Sequence, residues 1–421
     1  MTEDDRDGAA GAVRRQYEAL PYPERDPGDE AGRLITGSPS HLLEIEHYVY
    51  AGRRAGPIRA LVAGGGTGDG AIMLAQHLSD RGEGEVVYLD ISRPALEIAR
   101  ARAEARGLDN IGFHLGSLLA IDMLELGRFD YIDCCGVLHH LADPAEGLLA
   151  LTQALADDGG MGLMLYGVFG RTGVYPLQRA LRRLAGTADL SRQLDLARAV
   201  LDALPETNWF RRNVGLADHL AGGDAGLADL LLHAQDRAYT VPEIAALSAR
   251  ADLRITGFVP AAGYDPGLYL RDAALRARLD TLDPIERAAL GEELAGNLKT
   301  HVFYVVKAAN RAGGHADPRD RSLTPIAREH DLRAVARALA RSPRLKVDLD
   351  GIEARFELPG GADRIIALMD GRRNGGEILE RLRATNSRLS EPAADALFQG
   401  VYDILHPLNM LLLAGPHAPP R

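Results

Sequence analysis

RALVAGGGTGDGA, residues 59–71, is an apolar run that ends abruptly in glycines. Read as a strand (RALVA), a tight turn and the start of a helix continuing through IMLAQHL, it places glycines where the chain must reverse with little steric bulk. Such a turn receives a phosphate or a nucleoside in open α/β sheets. Two registers fit it. Gly66, Gly68 and Ala71 match the G-x-G-x-x-A dinucleotide loop, whereas Gly64, Gly66 and Gly68 match a G-x-G-x-G turn. A plain tight turn is a third reading of the glycines alone.

Outward from this turn the text alternates. GEVVYLDIS (84–92) reads as a strand ending in Asp90, followed by the helix RPALEIARARAEARG, stopped by Gly107. IGFHLGS, FDYIDCCGVLHHL and GGMGLMLY read as the next three strands, with a helix from DPAEGLLALTQAL between the last two. Alternation of this kind predicts a parallel sheet covered on both faces, with ligands beyond the carboxyl ends of its strands. From about 168 to 238 the text is helical, long enough for a cap. YTVPEIAALSARAD then predicts a helix capped by Thr240, feeding the strand LRITGFVP, and a helical insert (266–299) leads to a seventh strand, HVFYVVKA. After a polar linker from Ala309 come a helix near 325–341 and LKVDLDGIEARFEL, two strands joined by the hairpin pair Asp350-Gly351. Three further helices and a closing strand, MLLLAG, complete a small α+β unit.

The chain of 421 residues exceeds one ordinary core, so a large domain with a smaller one attached is expected. Hydrophobic residues make up 46% and charged residues 25%, with no apolar run of membrane-spanning length. The start, MTEDDRDGAAGAVRR, lacks the apolar core of a secretory signal; a cytoplasmic location and a loose first ten residues are expected. Cys134 and Cys135, the chain's two cysteines, are adjacent in a predicted buried strand and are read as packing groups of a reducing compartment. The net charge of −11 divides into −13 for residues 1–310 and +2 from Arg311 onward, where 17 Lys or Arg face 15 Asp or Glu. An acidic main region without basic runs or stacking motifs excludes nucleic acid as the expected partner.

Asp90, 22 residues after Gly68, stands where an acid accepts hydrogen bonds from ribose hydroxyls, and so supports an adenosine ligand without choosing between the two registers. The choice comes from FDYIDCCGVLHHLADP (129–144) and ALADDGGMGLMLY (154–166). Together they closely resemble the fourth- and fifth-strand region of class I S-adenosylmethionine-dependent methyltransferases. The resemblance spans roughly residues 59–166 and resumes from YTVPEIAAL to HVFYVV. It implies a seven-stranded Rossmann-like sheet with an antiparallel last strand and a helical cap, S-adenosylmethionine as cofactor, and methyl transfer to a nitrogen or oxygen acceptor. The organisation it suggests is an N-terminal arm and helix (1–50), a methyltransferase domain (51–308) with a cap at about 168–238, a linker and helix (309–342), and an accessory domain (343–421). The last is similar to winged-helix modules, to peptide-recognition domains and to accessory domains of some bacterial protein-lysine methyltransferases.

Carried over by that resemblance, Gly64, Gly66 and Gly68 approach the methionine part of the cofactor. Asp90 with Ile91 holds its ribose, Ser117 and Leu118 border its adenine, and Gly136 and Val137 line the methionine side. The chain departs from the pattern at Val62, where an acid usually stands two positions before the first glycine, and at Ser117, in place of an Asp; Asp69 is expected to compensate for Val62. CCGV replaces the Asn/Asp-Pro-Pro-Tyr motif, which argues against adenine or glutamine amide as acceptor. His139 and His140 are candidate general bases, imidazole titrating near neutrality, and equally a structural pair ending the strand. Tyr17 and Tyr22, on an arm stiffened by prolines, and Tyr166 are candidates for covering the ligands. Trp209, Arg211 and Arg212 are candidates for acceptor recognition through an aromatic face and a carboxylate-binding fork. No His/Cys spacing of zinc type and no acidic cluster for magnesium occurs, so no metal is expected. The expected partner is a peptide, a protein or a small-molecule acceptor, with neither membrane nor nucleic acid, and with a homodimer as an option; the rival reading is a non-catalytic nucleoside-binding scaffold.

Overall fold

The computed structural model describes residues 3–53 and 56–415. Its centre is one seven-stranded sheet in the order β3-β2-β1-β4-β5-β7-β6. The strands are β1 (Arg59–Ala63), β2 (Glu85–Asp90), β3 (Ile111–Leu115), β4 (Phe129–Cys135), β5 (Leu155–Tyr166), β6 (Leu253–Val259) and β7 (Thr300–Lys307). β1 to β5 run parallel, and β7 is antiparallel to both β5 and β6. β1 and β2 are apolar over four or more consecutive buried positions because helices cover both faces of the sheet.

Local sequence sets the joints. The helix Asp69–Arg81 starts from Gly68 at φ 104°, the left-handed region open to glycine, and ends at Gly82, also left-handed. Ser92 caps the helix Arg93–Arg106 through the Ala95 N–H, with Pro94 in its first turn. Thr240 and Glu243 form a reciprocal capping box at the start of Val241–Arg250. These parallel units bring the carboxyl ends of β1, β2 and β4 to one edge, where the site lies.

The cap comprises the helices Val174–Ala185, Leu190–Ala203, Trp209–Arg212, Asp218–Ala221 and Gly223–Leu231, with its own apolar centre around Leu177, Leu181, Phe210 and Leu227. The amino-terminal residues differ from the loose segment expected: the backbone is helical from Glu3 to Ala19. A strap (residues 20–41) follows and carries two cis X-Pro bonds, Tyr22-Pro23 and Ser38-Pro39.

Downstream, Thr324–Ala327 is a strand, β8, rather than the beginning of the expected helix, which is confined to Leu332–Leu339. Its partner is β11 (Leu411–Ala414), antiparallel to it and separated from it by most of the unit, which is why local text hid the pairing. β9 (Arg344–Leu349) and β10 (Ile352–Glu357) form a hairpin in which Asp350 (φ 56°) and Gly351 (φ 90°) supply the two positive torsions of a tight turn. With Ala362–Ile366, Gly375–Ala384 and Glu391–Leu405 these strands enclose a second core that includes Ile365, Ile378, Phe398 and Val401.

This unit docks on the helix Leu42–Tyr48. Glu44, fully buried, takes hydrogen bonds from Tyr304 (2.6 Å) and Ser38 (2.8 Å) and pairs with Arg328 of the C-terminal unit. His47 Nδ1 accepts from the Leu413 N–H at 2.9 Å. His406 lies beside His47 (4.7 Å between rings), stacks on Tyr402 and faces His315. Burial, reinforced by His315, pushes His406 down to about 4. An unfolded chain, with a histidine pKa near 6.5, takes up a proton that the folded chain refuses as pH falls from about 6.5 towards 4, so acidification removes stability across that window. Between pH 7 and 5 His406 alone is expected to cost about 2 kcal/mol. Urea unfolding of His406→Phe, which keeps the ring stack, checks this: the variant should lose less stability over that interval than the wild type, and an unchanged pH slope would refute it.

Candidate functional site

A cavity of about 970 Å³ opens at the carboxyl edge of β1, β2 and β4. Its floor is the glycine turn. A methyl group on Gly64 would lie 2.3 Å from Val137, one on Gly65 2.3 Å from Tyr88, and one on Gly66 (φ 51°) 2.9 Å from the Tyr22 carbonyl. The turn is therefore packed from below and roofed by the strap, with room only for glycine. The strap is tied down by the Thr67 hydroxyl, which donates to the Pro23 carbonyl (2.7 Å), and by Arg25, paired with Asp69 at 2.6 Å.

Asp90, at the end of β2, is 9% exposed and lines the cavity. Its Oδ2 accepts from the Gly66 N–H and its Oδ1 from the Ser92 N–H, both at 2.8 Å, so one carboxylate locks the turn to the next helix. Burial raises its pKa, opposed by these backbone donors. Ile91, Leu115 and Leu118 give the cavity an apolar end, with Ser117 beside them capping its own short helix through Leu119. Gly136 and Val137 form the wall at the end of β4.

At the other end of the cavity a polar chamber joins the arm, the sheet and the cap. Asp229 receives the hydroxyls of Tyr17 and Tyr166, each at 3.0 Å. Burial, then Asp229 itself, pushes both phenols far above their usual range, so they stay protonated donors. The Gln235 N–H donates to His233 Nδ1 (3.1 Å), which leaves the proton of His233 on Nε2, facing the Tyr17 oxygen at 3.2 Å. The Gln235 carbonyl, by contrast, lies 3.0 Å from His140 Nδ1, so that nitrogen carries the proton and Nε2 of His140 keeps its lone pair. Burial lowers the pKa of His140, His139 and His233, holding all three neutral. Arg171 stacks over the Tyr166 ring (3.6 Å) and pairs with Asp236 at 3.2 Å. His140, Asp229 and His233 approach closely enough to suggest a cation site, which sequence spacing did not reveal. Their hydrogen bonds argue against it: Asp229 is engaged at both oxygens, the His233 lone pair is taken, and the two rings stack face to face at 3.8 Å.

Residues 61–161 match the methyltransferase-domain family. An uncharacterised protein of Synechococcus sp. is 31% identical over 311 residues, 71% of this chain and 72% of its own length. The demethylmenaquinone methyltransferase of Thermus thermophilus is 35% identical over 135 residues, 31% of this chain and 59% of that protein. In fold, PKMT2 from Rickettsia typhi covers 97% of this chain and 76% of its own, with a TM-score of 0.60 at 14% identity; its complex with AdoHcy gives 0.58. The chain belongs to the class I S-adenosylmethionine-dependent methyltransferases. The residues present fit the cofactor of this enzyme family: a glycine floor that a single Cβ would obstruct, a carboxylate at the end of β2 and an apolar end for a purine.

Within this methyltransferase, Gly64, Gly66, Asp69, Asp90, Ile91, Ser117, Leu118, Gly136 and Val137 all line the cavity, as do Tyr17, Tyr22, Tyr166 and His140. Five expectations are corrected. Gly68 lies beneath the cavity; a Cβ there would meet Ala99 at 2.9 Å, so it is a packing glycine. Asp69 borders the cavity, but Arg25 and the buried Arg102 neutralise it, so it cannot stand in for an acid at position 62. His139 is 1% exposed and stacked on Tyr166 behind the wall, and among the described residues neither of its ring nitrogens has a hydrogen-bond partner. Trp209, Arg211 and Arg212 lie outside the cavity. Trp209 is 65% exposed, and the two arginines satisfy the Leu204 and Glu206 carbonyls of the cap. Cys135 lines the cavity instead of only packing. Sequence reading missed Ser40, Asp133 and Asp229, which line the cavity from three separate parts of the chain.

Proposed function

We propose that this methyltransferase transfers a methyl group to an amine, presented by a peptide or protein. The observation that carries the reading is the polar chamber. Its three histidines are neutral and Arg171 is offset by Asp236, so Asp229 and the ring of Tyr17 leave an electronegative recess suited to an ammonium group. An ammonium must lose a proton before it can act as a nucleophile, and Nε2 of His140 is the lone pair available beside the recess to accept it. The cofactor supplies an electrophilic methyl group on a sulfonium. The chain's own part is to align the acceptor, exclude water beneath the strap and take up one proton.

A macromolecular acceptor is supported by a second groove of about 520 Å³ between the β6–β7 end of the sheet and the β9–β10 turn. It is lined by Tyr269, Lys299, Asp348 and Asp350, and Ser38 forms a wall of both cavities. The C-terminal unit, read as a winged-helix-like accessory domain, would serve this groove. No helix among the described residues is long and apolar enough to cross a membrane, and the two cysteines are free thiols, in keeping with a cytoplasmic setting. The test uses methyl-labelled cofactor and peptides carrying lysine or its acetylated form. Label is expected in the former alone; label confined to hydroxyl or carboxyl compounds would refute an amine acceptor.

A further inference from the structure

β1 and β4 are neighbours in register, and the residue facing Val62 across the pair is Asp133. Asp133 is 2% exposed yet lines the cavity, at the wall shared with Ser40, Gly70 and Cys135. Its carboxylate accepts from the Ser40 hydroxyl and the Cys135 N–H, and among the described residues no Lys or Arg pairs with it.

The other buried or half-buried acids of the cavity are already committed, Asp229 to the Tyr17 and Tyr166 hydroxyls. Asp69 is neutralised by Arg25 and Arg102, Asp90 is held by backbone N–H groups of the turn, and Asp143 caps the helix behind it. A buried carboxylate without a cation is costly, and at a purely structural position an amide or apolar group would serve better. The cost is visible: burial pushes Asp133 up to about 6. Access to it is also kept clear. Gly70 lies in the helix above, and a Cβ there would sit 2.6 Å from Ser40 Oγ and 3.5 Å from Asp133 Oδ2.

We infer that Asp133, with Ser40, is the anchor for the ammonium of the cofactor's amino-acid end, a carboxylate supplied from β4 where β1 offers only Val62. The inference rests on the reading of the cavity as the S-adenosylmethionine site. An arriving ammonium converts an uncompensated buried acid into a hydrogen-bonded ion pair, so this contact selects ligands that carry the amino acid over truncated nucleosides. Asp133 is thus a positioning residue for the cofactor, one strand removed from the position that sequence alone would assign.

The experiment is a thermodynamic cycle by calorimetry on the full chain, using AdoHcy and its des-amino analogue, in which hydrogen replaces the amine. On the wild-type protein the analogue should bind about 10- to 100-fold more weakly. In Asp133→Asn, which keeps the shape of the side chain, the two ligands should bind equally. Equal binding to the wild type overturns the inference, and so does a gap that persists in the variant. The first arm needs no variant and stands even if Asp133→Asn fails to fold. Failure of both ligands to bind the wild type would instead refute the cofactor reading itself.

Discussion

Asp90→Ala is expected to weaken AdoHcy binding by about 100-fold or more and to lower the stability of the empty protein by about 2–4 kcal/mol. Both effects come from one carboxylate with two duties. In the structure its oxygens accept the Gly66 and Ser92 N–H groups, so removing it leaves two donors unpaired at a site where Asp90 as a whole is 9% exposed; each orphan costs about 1–3 kcal/mol. The turn then loses the contact that fixes Gly66 under the strap, and a bound ribose loses its acceptor. Asp90→Asn should be intermediate, because an amide keeps one acceptor but turns a donor towards one of the two N–H groups. Calorimetry and urea unfolding measure the two effects separately. Affinity within threefold of wild type in Asp90→Ala would show that the sugar is held elsewhere.

His140→Ala is expected to lower kcat by about 10²- to 10⁴-fold while leaving AdoHcy affinity within about twofold. The imidazole belongs to the polar chamber, and the turn that carries the cofactor does not depend on it. The sign of its pH dependence follows from burial. Because the folded-state pKa is lowered, the neutral form that accepts a proton persists below the usual histidine range. Wild-type turnover should therefore hold through mild acidity and fall only at lower pH, whereas in His140→Ala that limb of the profile should vanish. Single-turnover rates across pH check this. A loss of less than about fivefold, or one confined to KM, would make His140 a wall of the chamber and not a base.

The sheet was legible because most of its strands are short apolar runs bounded by turn chemistry, and because the glycine turn, Asp90 and the GVLHHL stretch sit at strand ends where ligands bind. β8 was not legible. Thr324–Ala327 is four residues long and begins Thr-Pro, and its partner β11 comes 84 positions later. The acceptor chamber was partly hidden for the same reason: Tyr17 finds Asp229 across 212 residues, and His140 meets His233 only once the cap folds back over the sheet. Trp209, Arg211 and Arg212 misled because an aromatic beside two guanidinium groups has the chemistry of a binding site, whereas here the arginines bond carbonyls of the segment that joins their helix to the preceding cap helix. Asp69 misled by proximity in sequence. Its neighbours in space are arginines, and the acid that faces Val62 lies on β4, a relation the β1–β4 register makes plain.

The strap also bears on how the chain comes into being. Residues 17–25 are synthesised before the cap, yet Tyr17 must wait for Asp229 and His233 before its hydroxyl is engaged. A nascent polypeptide that has completed the glycine turn and β2 still lacks the β4 wall and the cap residue Asp229 that line the same cavity. In order of synthesis the cavity is therefore closed only once the cap has been made.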